Sequence, residues 1–194
     1  MKNSKIALII ILAILLIVLV IAGYKIKPQN NKDNNLISNK PTQMSLVITS
    51  PYFKDWERIP PQFTCDGADV FPDLAIKNLP AETKALAISV EDPDAPFKTF
   101  IHLVSIIPFA TDQITQQTLD QSILGLNDFW TLGRRGPCPP PGDKPHRYFF
   151  KVWALGNIPM LQPGFDYEQF VSTINSSEIL NQGQLIWTYS RTNK

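Results

Sequence analysis

Apolar positions along this chain come mostly in short runs separated by turn residues. Ala85 to Val90 (ALAISV) is almost entirely apolar, which suits a strand buried on both faces. His102 to Ile107 (HLVSII) has the same character, and Tyr148 to Leu155 (YFFKVWAL) is rich in aromatic and β-favouring residues. Met44 to Thr49 and Leu185 to Tyr189 (LIWTY) add two more predicted strands. Proline-rich connections such as Ile59-Pro60-Pro61 and Asn78-Leu79-Pro80 lie between the runs. Short strands, proline turns and little helix predict an all-β fold, a β-sandwich. One helix is expected after Asp166, a plausible N-cap, with Tyr167, Phe170, Val171 and Ile174 along one face. A second short C-terminal helix is expected from Ser177 to Gln182, ahead of Gly183.

One apolar stretch is different. Ile6 to Gly23 runs for 18 residues without a charged or polar side chain. As a helix it reaches roughly 27 Å, close to the ~30 Å of a bilayer's hydrocarbon core. Lys2 and Lys5 precede it, and Lys25 and Lys27 follow it. This reads as one N-terminal transmembrane helix with a cytoplasmic tail and the folded domain exported, periplasmic or at the cell surface. The alternative is a signal peptide, cut after Val20 and Ala22, that releases a secreted protein. Tyr24 stands where a lipoprotein would carry its lipidated cysteine, so a lipid anchor is not expected.

Residues 28–43 (PQNNKDNNLISNKPTQ) hold five asparagines and too little apolar surface to repay an ordered structure, so they are read as a flexible polar linker. The organisation is therefore 1–27 anchor or signal, 28–43 linker and 44–194 folded domain. The formal net charge of +1 conceals an asymmetry: residues 44–194 carry twelve basic and sixteen acidic side chains, a net of −4. A mildly acidic domain lacks the basic face that nucleic acid demands. Fifteen of the 17 prolines fall in this domain, which argues against a helical bundle. Two cysteines are too few for a disulfide scaffold or a Cys₄ zinc site.

Candidate chemistry gathers around the two histidines. Ten residues before His102 stands Glu91-Asp92-Pro93-Asp94-Ala95-Pro96, two aspartates about one proline at the end of an apolar strand. Before His146 runs Gly133-Arg134-Arg135-Gly136-Pro137-Cys138-Pro139-Pro140-Pro141-Gly142, a stiff loop whose glycine amides can face an anion. Strand alternation puts His146 and Tyr148 on one face and Arg147 on the other. Taken alone, each feature has a plainer explanation in turn chemistry or packing. Their shared place at strand ends and loops favours a site.

Read in order, Phe63-Thr64-Cys65-Asp66-Gly67, Asp92-Pro93-Asp94-Ala95-Pro96, His102, Gly125-Leu126-Asn127-Asp128, Gly136-Pro137-Cys138-Pro139-Pro140 and His146-Arg147-Tyr148 resemble the phosphatidylethanolamine-binding protein family. The likeness is to its bacterial, Raf-kinase-inhibitor-like branch and extends from about residue 44 to the end. It implies an antiparallel β-sandwich with a pocket for phosphate-like head groups, anionic or zwitterionic, lined by Asp92, Asp94, His102, Gly136, Pro137, His146 and Tyr148. It implies no catalytic reaction, cofactor or metal, and it allows a kinase or protease as protein partner. The expected donors are both imidazoles, the Tyr148 hydroxyl and backbone amides near Gly136. A carboxylate beside a histidine favours its charged form, so anion binding is expected to strengthen with falling pH. The branch often carries cysteines in the two motifs that hold Cys65 and Cys138; these form a disulfide or remain two buried thiols.

Three positions depart from the family pattern: Arg134 replaces a tyrosine, Leu103 a tryptophan, and Phe71-Pro72-Asp73-Leu74 the usual Ser-Pro-Pro-Leu. Arg134 is expected in solvent, the alternative being an inward turn that adds a phosphate donor. Two other functions remain open. An interaction or inhibitor module would use a surface to which the pocket is incidental. A metal-dependent hydrolase would use the two aspartates and two histidines as ligands, although no local ligand spacing such as His-Glu-x-x-His occurs.

Overall fold

A computed structural model describes residues 45–192. Its elements are β1 (Val47–Thr49), β2 (Leu74–Lys77), β3 (Ala85–Asp92), β4 (Phe100–Ile107), β5 (Gln113–Ile114), α1 (Gln116–Asp120), β6 (Ile123–Leu124), β7 (His146–Leu155), α2 (Tyr167–Ser176) and β8 (Ile179–Tyr189). The fold is mostly β. A three-stranded sheet has the order β1-β2-β5, and a five-stranded sheet the order β6-β4-β3-β7-β8. Neighbouring strands in both are antiparallel.

The run Ala85–Val90 shows how the layers stack. Leu86, Ile88 and Val90 belong to the core between the sheets, with Ile48, Leu74, Ile76, Phe150, Val152 and Trp187. The alternate residues Ala85 and Ala87 join a second apolar cluster with Val104, Ile106, Phe165, Phe170 and Ile174. The strand is covered on both faces because α2 closes the side away from the small sheet. Asp166 caps α2 as the sequence suggests: its carboxylate accepts from the Gln169 amide at 2.8 Å, and Gln169 Oε1 accepts from the Asp166 amide at 3.0 Å. Phe170 and Ile174 face inward, while Val171 faces solvent.

The structure corrects one expectation about helices and adds a helix that was not expected. Ser177–Gln182 is not helical. From Ile179 the chain pairs with β7, Ile179 opposite Leu155 and Gln182 opposite Trp153. An edge strand leaves one side to water, so polar Asn181, Gln182 and Gln184 fit there, and the ladder supplies bonds that an isolated helical turn lacks. The other short helix is α1, unforeseen because its five residues show no apolar period; Thr115 and Thr118 cap it reciprocally. Among the described residues no helix is long and apolar enough to cross a membrane. The anchor expected at Ile6–Gly23 and the linker lie outside the described residues.

One irregularity shapes the functional end. Val90 pairs with Leu103, but Glu91 pairs with Ile101, so His102 is an extra residue in β4. Such a bulge shifts the alternation: Ile101 belongs to the outer apolar cluster and Leu103 to the inner core. It turns the His102 ring toward Tyr148, with ring centroids 5.3 Å apart.

Candidate functional site

The polar cluster forms where β3 ends and β7 begins. Asp92 follows Leu86, Ile88 and Val90 on the inner side of β3 by simple alternation. His146 opens β7, Tyr148 follows two residues later, and both are buried while Arg147 between them is exposed. The Tyr148 ring lies between the imidazoles, stacked on His146 at 6.5 Å and edge-on to His102 at 5.3 Å. Phe100 and Phe129 complete an aromatic surround for His102, at 5.2 and 5.6 Å.

Hydrogen bonds assign the protons. His146 Nδ1 is 2.8 Å from Asp92 Oδ2, so the ring donates to the carboxylate. Asp92 Oδ1 in turn accepts from the Asp94 amide at 2.9 Å. His146 Nε2 lies 3.6 Å from Asp143 Oδ2. His102 Nδ1 is 2.8 Å from the Arg135 carbonyl, which only accepts; Nδ1 therefore carries the proton and Nε2 is left bare. Burial pulls His102 down to a pKa of about 4, against a smaller upward pull from that carbonyl and Asp92. The ring is neutral at physiological pH, so the expectation that a nearby carboxylate favours the charged form of a histidine does not hold for His102, where burial outweighs Asp92. The Tyr148 hydroxyl is buried and makes no hydrogen bond of good geometry within the protein, although the Asp92 carboxylate lies close to it. Burial, with the Asp92 carboxylate nearby, pushes this phenol far up.

The other sequence-predicted residues play different parts. Asp94 turns to Arg147, whose Nε and Nη2 donate to its two oxygens at 2.8 and 2.9 Å and whose amide donates at 2.9 Å. These bonds hold the Asp94 carboxyl down at about 2. The Gly136 amide is not free for an anion, because it donates to Asp69 Oδ1 at 2.8 Å. A Cβ here would collide with that carboxylate and stand 2.5 Å from the Phe63 carbonyl, which is why the position requires glycine. The Pro137 carbonyl accepts from the Cys65 amide at 3.1 Å.

Arg134 is the clearest correction. It does not lie in solvent, since only 4 % of its side chain is exposed, and of its guanidinium nitrogens the buried Nε is left without a partner. It turns in toward the 63–70 loop, donating to the carbonyls of Phe63, Asp69 and Val70 and to Asp69 Oδ1. Burial lowers its pKa to about 10, and Asp69 opposes that fall. The bonds it makes to three carbonyls repay desolvation better than a mobile surface position would. A disulfide between Cys65 and Cys138 ties the same two loops together.

Asp69 is the residue the sequence reading missed, although it holds Arg134, the Gly136 amide and, at 3.8 Å, Arg135. No local pattern announces it; three unpaired donors in the 133–136 loop are the one hint that an acid must arrive from elsewhere. Asp143 was detectable from its position three residues before His146. Among the described residues no group of three His, Cys, Asp or Glu side chains is gathered to hold a metal ion. A cavity of about 480 Å³ beside Leu46, Lys151 and Trp153 contains none of the site residues.

Two antiparallel sheets, a covering helix and an Asp–His pair beside a buried tyrosine define a mostly β domain with a polar cluster at one end. The family comparison identifies the class: residues 49–190 match the model for phosphatidylethanolamine-binding protein, and the chain belongs to that family. It is 39% identical over 146 residues to a UPF0098 protein of Methanothermobacter thermautotrophicus, a match covering 72% of this chain and 95% of the relative. Among solved structures it resembles a phosphatidylethanolamine-binding protein homolog from Chlamydia trachomatis, with TM-score 0.70, 28% identity, and coverage of 76% of this chain and 98% of that one. It also resembles E. coli YbcL, described as a member of the mammalian family, with TM-score 0.67, 27% identity, and coverage of 76% and 99%. Both solved chains thus consist almost wholly of this domain.

Proposed function

We propose that the domain binds, without chemical turnover, a small phosphate-bearing group, anionic or zwitterionic, at the end defined by Asp92, His102, His146 and Tyr148. One observation carries the reading. The Tyr148 hydroxyl is buried and makes no well-formed hydrogen bond, with the Asp92 carboxylate near it, and leaving such a group unsatisfied costs about 1–3 kcal/mol. A guest that accepts its proton recovers that cost. The neutral His102 leaves a lone pair for a donor on the guest, and an ammonium or a P–OH supplies one. A head group with both acceptor oxygens and a proton to give matches this set better than a fully ionised phosphate.

Tyr148→Phe separates binding from structure. It deletes one hydroxyl and nothing else, so thermal and urea stability of the free protein should hold or rise by about 1 kcal/mol. Calorimetric titration with phosphorylethanolamine should weaken by about tenfold or more, the equivalent of one hydrogen bond. Unchanged affinity in Tyr148→Phe, or no heat of binding with the wild-type protein, refutes the proposal.

A further inference from the structure

Beside the site, two loops lift apolar side chains into water. Phe97 is fully exposed and Trp130 is 84% exposed, with Leu132 also standing out. The loops are tied together through Asp128. Lys98 Nζ donates to Asp128 Oδ1 at 2.8 Å, and the Ile101 amide donates to Oδ2 at 2.8 Å. Buried Asn127 knits the second loop from inside, its amide nitrogen donating to Thr131 Oγ1 and the Gly133 carbonyl, its oxygen accepting from the amides of Phe129 and Thr131. Trp130 holds φ of 60°, a left-handed conformation costly for a bulky residue. The tips are therefore held out by a built loop. Phe129 joins them to the site, packing on both Phe100 and His102.

We infer that these loops dock the domain on a bilayer surface, with Phe97 and Trp130 entering the interface and the Tyr148 end facing the head groups. The inference rests on the head-group reading above and names the source of the ligand as a membrane lipid. Protruding tips suit a fluid interface, which closes around them; a protein partner would need matching hollows. Tryptophan and phenylalanine at loop tips are the side chains that favour this interface. The charges around them also suit it. Asp128 is paired with Lys98, Asp94 with Arg147 and Asp69 with Arg134, so these carboxylates present no uncompensated charge to lipid phosphates. Arg135 is half exposed, and can extend toward those phosphates beside the aromatic tips. Finally, the sequence carries its own apolar run at Ile6–Gly23, and sixteen linker residues span at most about 55 Å, so an anchored chain keeps its domain near a bilayer.

The test uses residues 44–194, which carry their own core and correspond to the solved relatives. Flotation with phosphatidylethanolamine–phosphatidylcholine vesicles is measured for the wild type and for Phe97→Ser/Trp130→Asn, alongside titration with soluble phosphorylethanolamine. Asparagine suits the left-handed backbone at position 130, and a melting curve verifies the fold. The wild type should float with vesicles, and the double variant should partition at least about tenfold less while binding phosphorylethanolamine as before. A wild type that ignores vesicles, or a variant that floats equally well, overturns docking even when the soluble head group binds. A wild type that stays off vesicles but self-associates through the tips, with a monomeric variant in sedimentation, assigns the surface to a second copy instead. Vesicle binding without phosphorylethanolamine binding removes the head-group reading and leaves the docking surface standing.

Discussion

His102 links the buried end of the domain to a measurable pH dependence. Burial holds its folded pKa at about 4, against 6.5 for an unperturbed imidazole. Between these values the unfolded chain binds a proton that the folded one refuses. Stability contributed by the neutral ring is therefore fully present above about pH 6.5 and is lost as pH falls toward 4. The difference of two and a half pKa steps amounts to about 3 kcal/mol in total, of which about 2 kcal/mol is gone by pH 5. For a domain whose whole stability is of order 10 kcal/mol, that is easily read by urea denaturation. His102→Asn keeps a donor for the Arg135 carbonyl and cannot titrate. Its stability should lie below that of the wild type at pH 7.5 because the ring's packing on Phe100, Phe129 and Tyr148 is lost. The gap should then narrow by about 2 kcal/mol at pH 5, since only the wild type loses the titrating contribution. A gap that stays constant from pH 7.5 to pH 5 would refute the claim that this ring is held neutral by burial.

Three further consequences concern the loops that wall the site. Gly136→Ala should cost about 2 kcal/mol in urea midpoint analysis, because the new methyl meets the Asp69 carboxylate and the Phe63 carbonyl; a neutral substitution would mean the loops separate freely. Breaking the Cys65–Cys138 disulfide by double serine substitution, with the cysteines 73 residues apart, should cost up to about 4 kcal/mol in the chain-entropy model, and an unchanged melting temperature would count against it. Asp94, held down at about 2 by Arg147, contributes stability that is present above about pH 4 and lost as pH falls through 2; Asp94→Asn should flatten that acid limb in a pH titration of the folded fraction.

How much of this was legible follows from where each interaction acts. The strand at Ala85–Val90 announced burial on both faces because both faces are apolar, and the Asp166 cap lies within one helical turn of its partner. The alternation that sends His146 and Tyr148 inward and Arg147 outward needed only the pleat. The His102 bulge was invisible, since an inserted residue in a ladder depends on two strands whose register no single run encodes. Arg134 was misread for a similar reason: its fate is set by Asp69, 65 residues away along the chain. The helix expected at Ser177–Gln182 failed because strand pairing with β7 outweighs a weak local preference.

The arrangement of acids resolves an electrostatic objection visible in the sequence alone. A phosphate beside two ionised aspartates should be repelled, and Asp92-Pro93-Asp94 places two within one turn. In the structure Asp94 faces the fork of Arg147, and Asp92 receives bonds from both His146 and the Asp94 amide. Neither acid is left to act as a bare charge. The loop's glycine amides are spent within the protein, Gly136 on Asp69 and Gly133 and Gly142 on backbone carbonyls, and Arg134 turns its terminal nitrogens to carbonyls and Asp69. Charge at this end is thus consumed in building rigid walls. What remains unpaired includes the Tyr148 hydroxyl and the buried Arg134 Nε, beside a neutral His102 imidazole, all fixed in position. In such a low-dielectric setting a guest that satisfies the hydroxyl gains a bond strengthened by exclusion of water, and one that merely carries charge gains little. The proposed guest would therefore be recognised by geometry and hydrogen-bond complementarity rather than by net attraction.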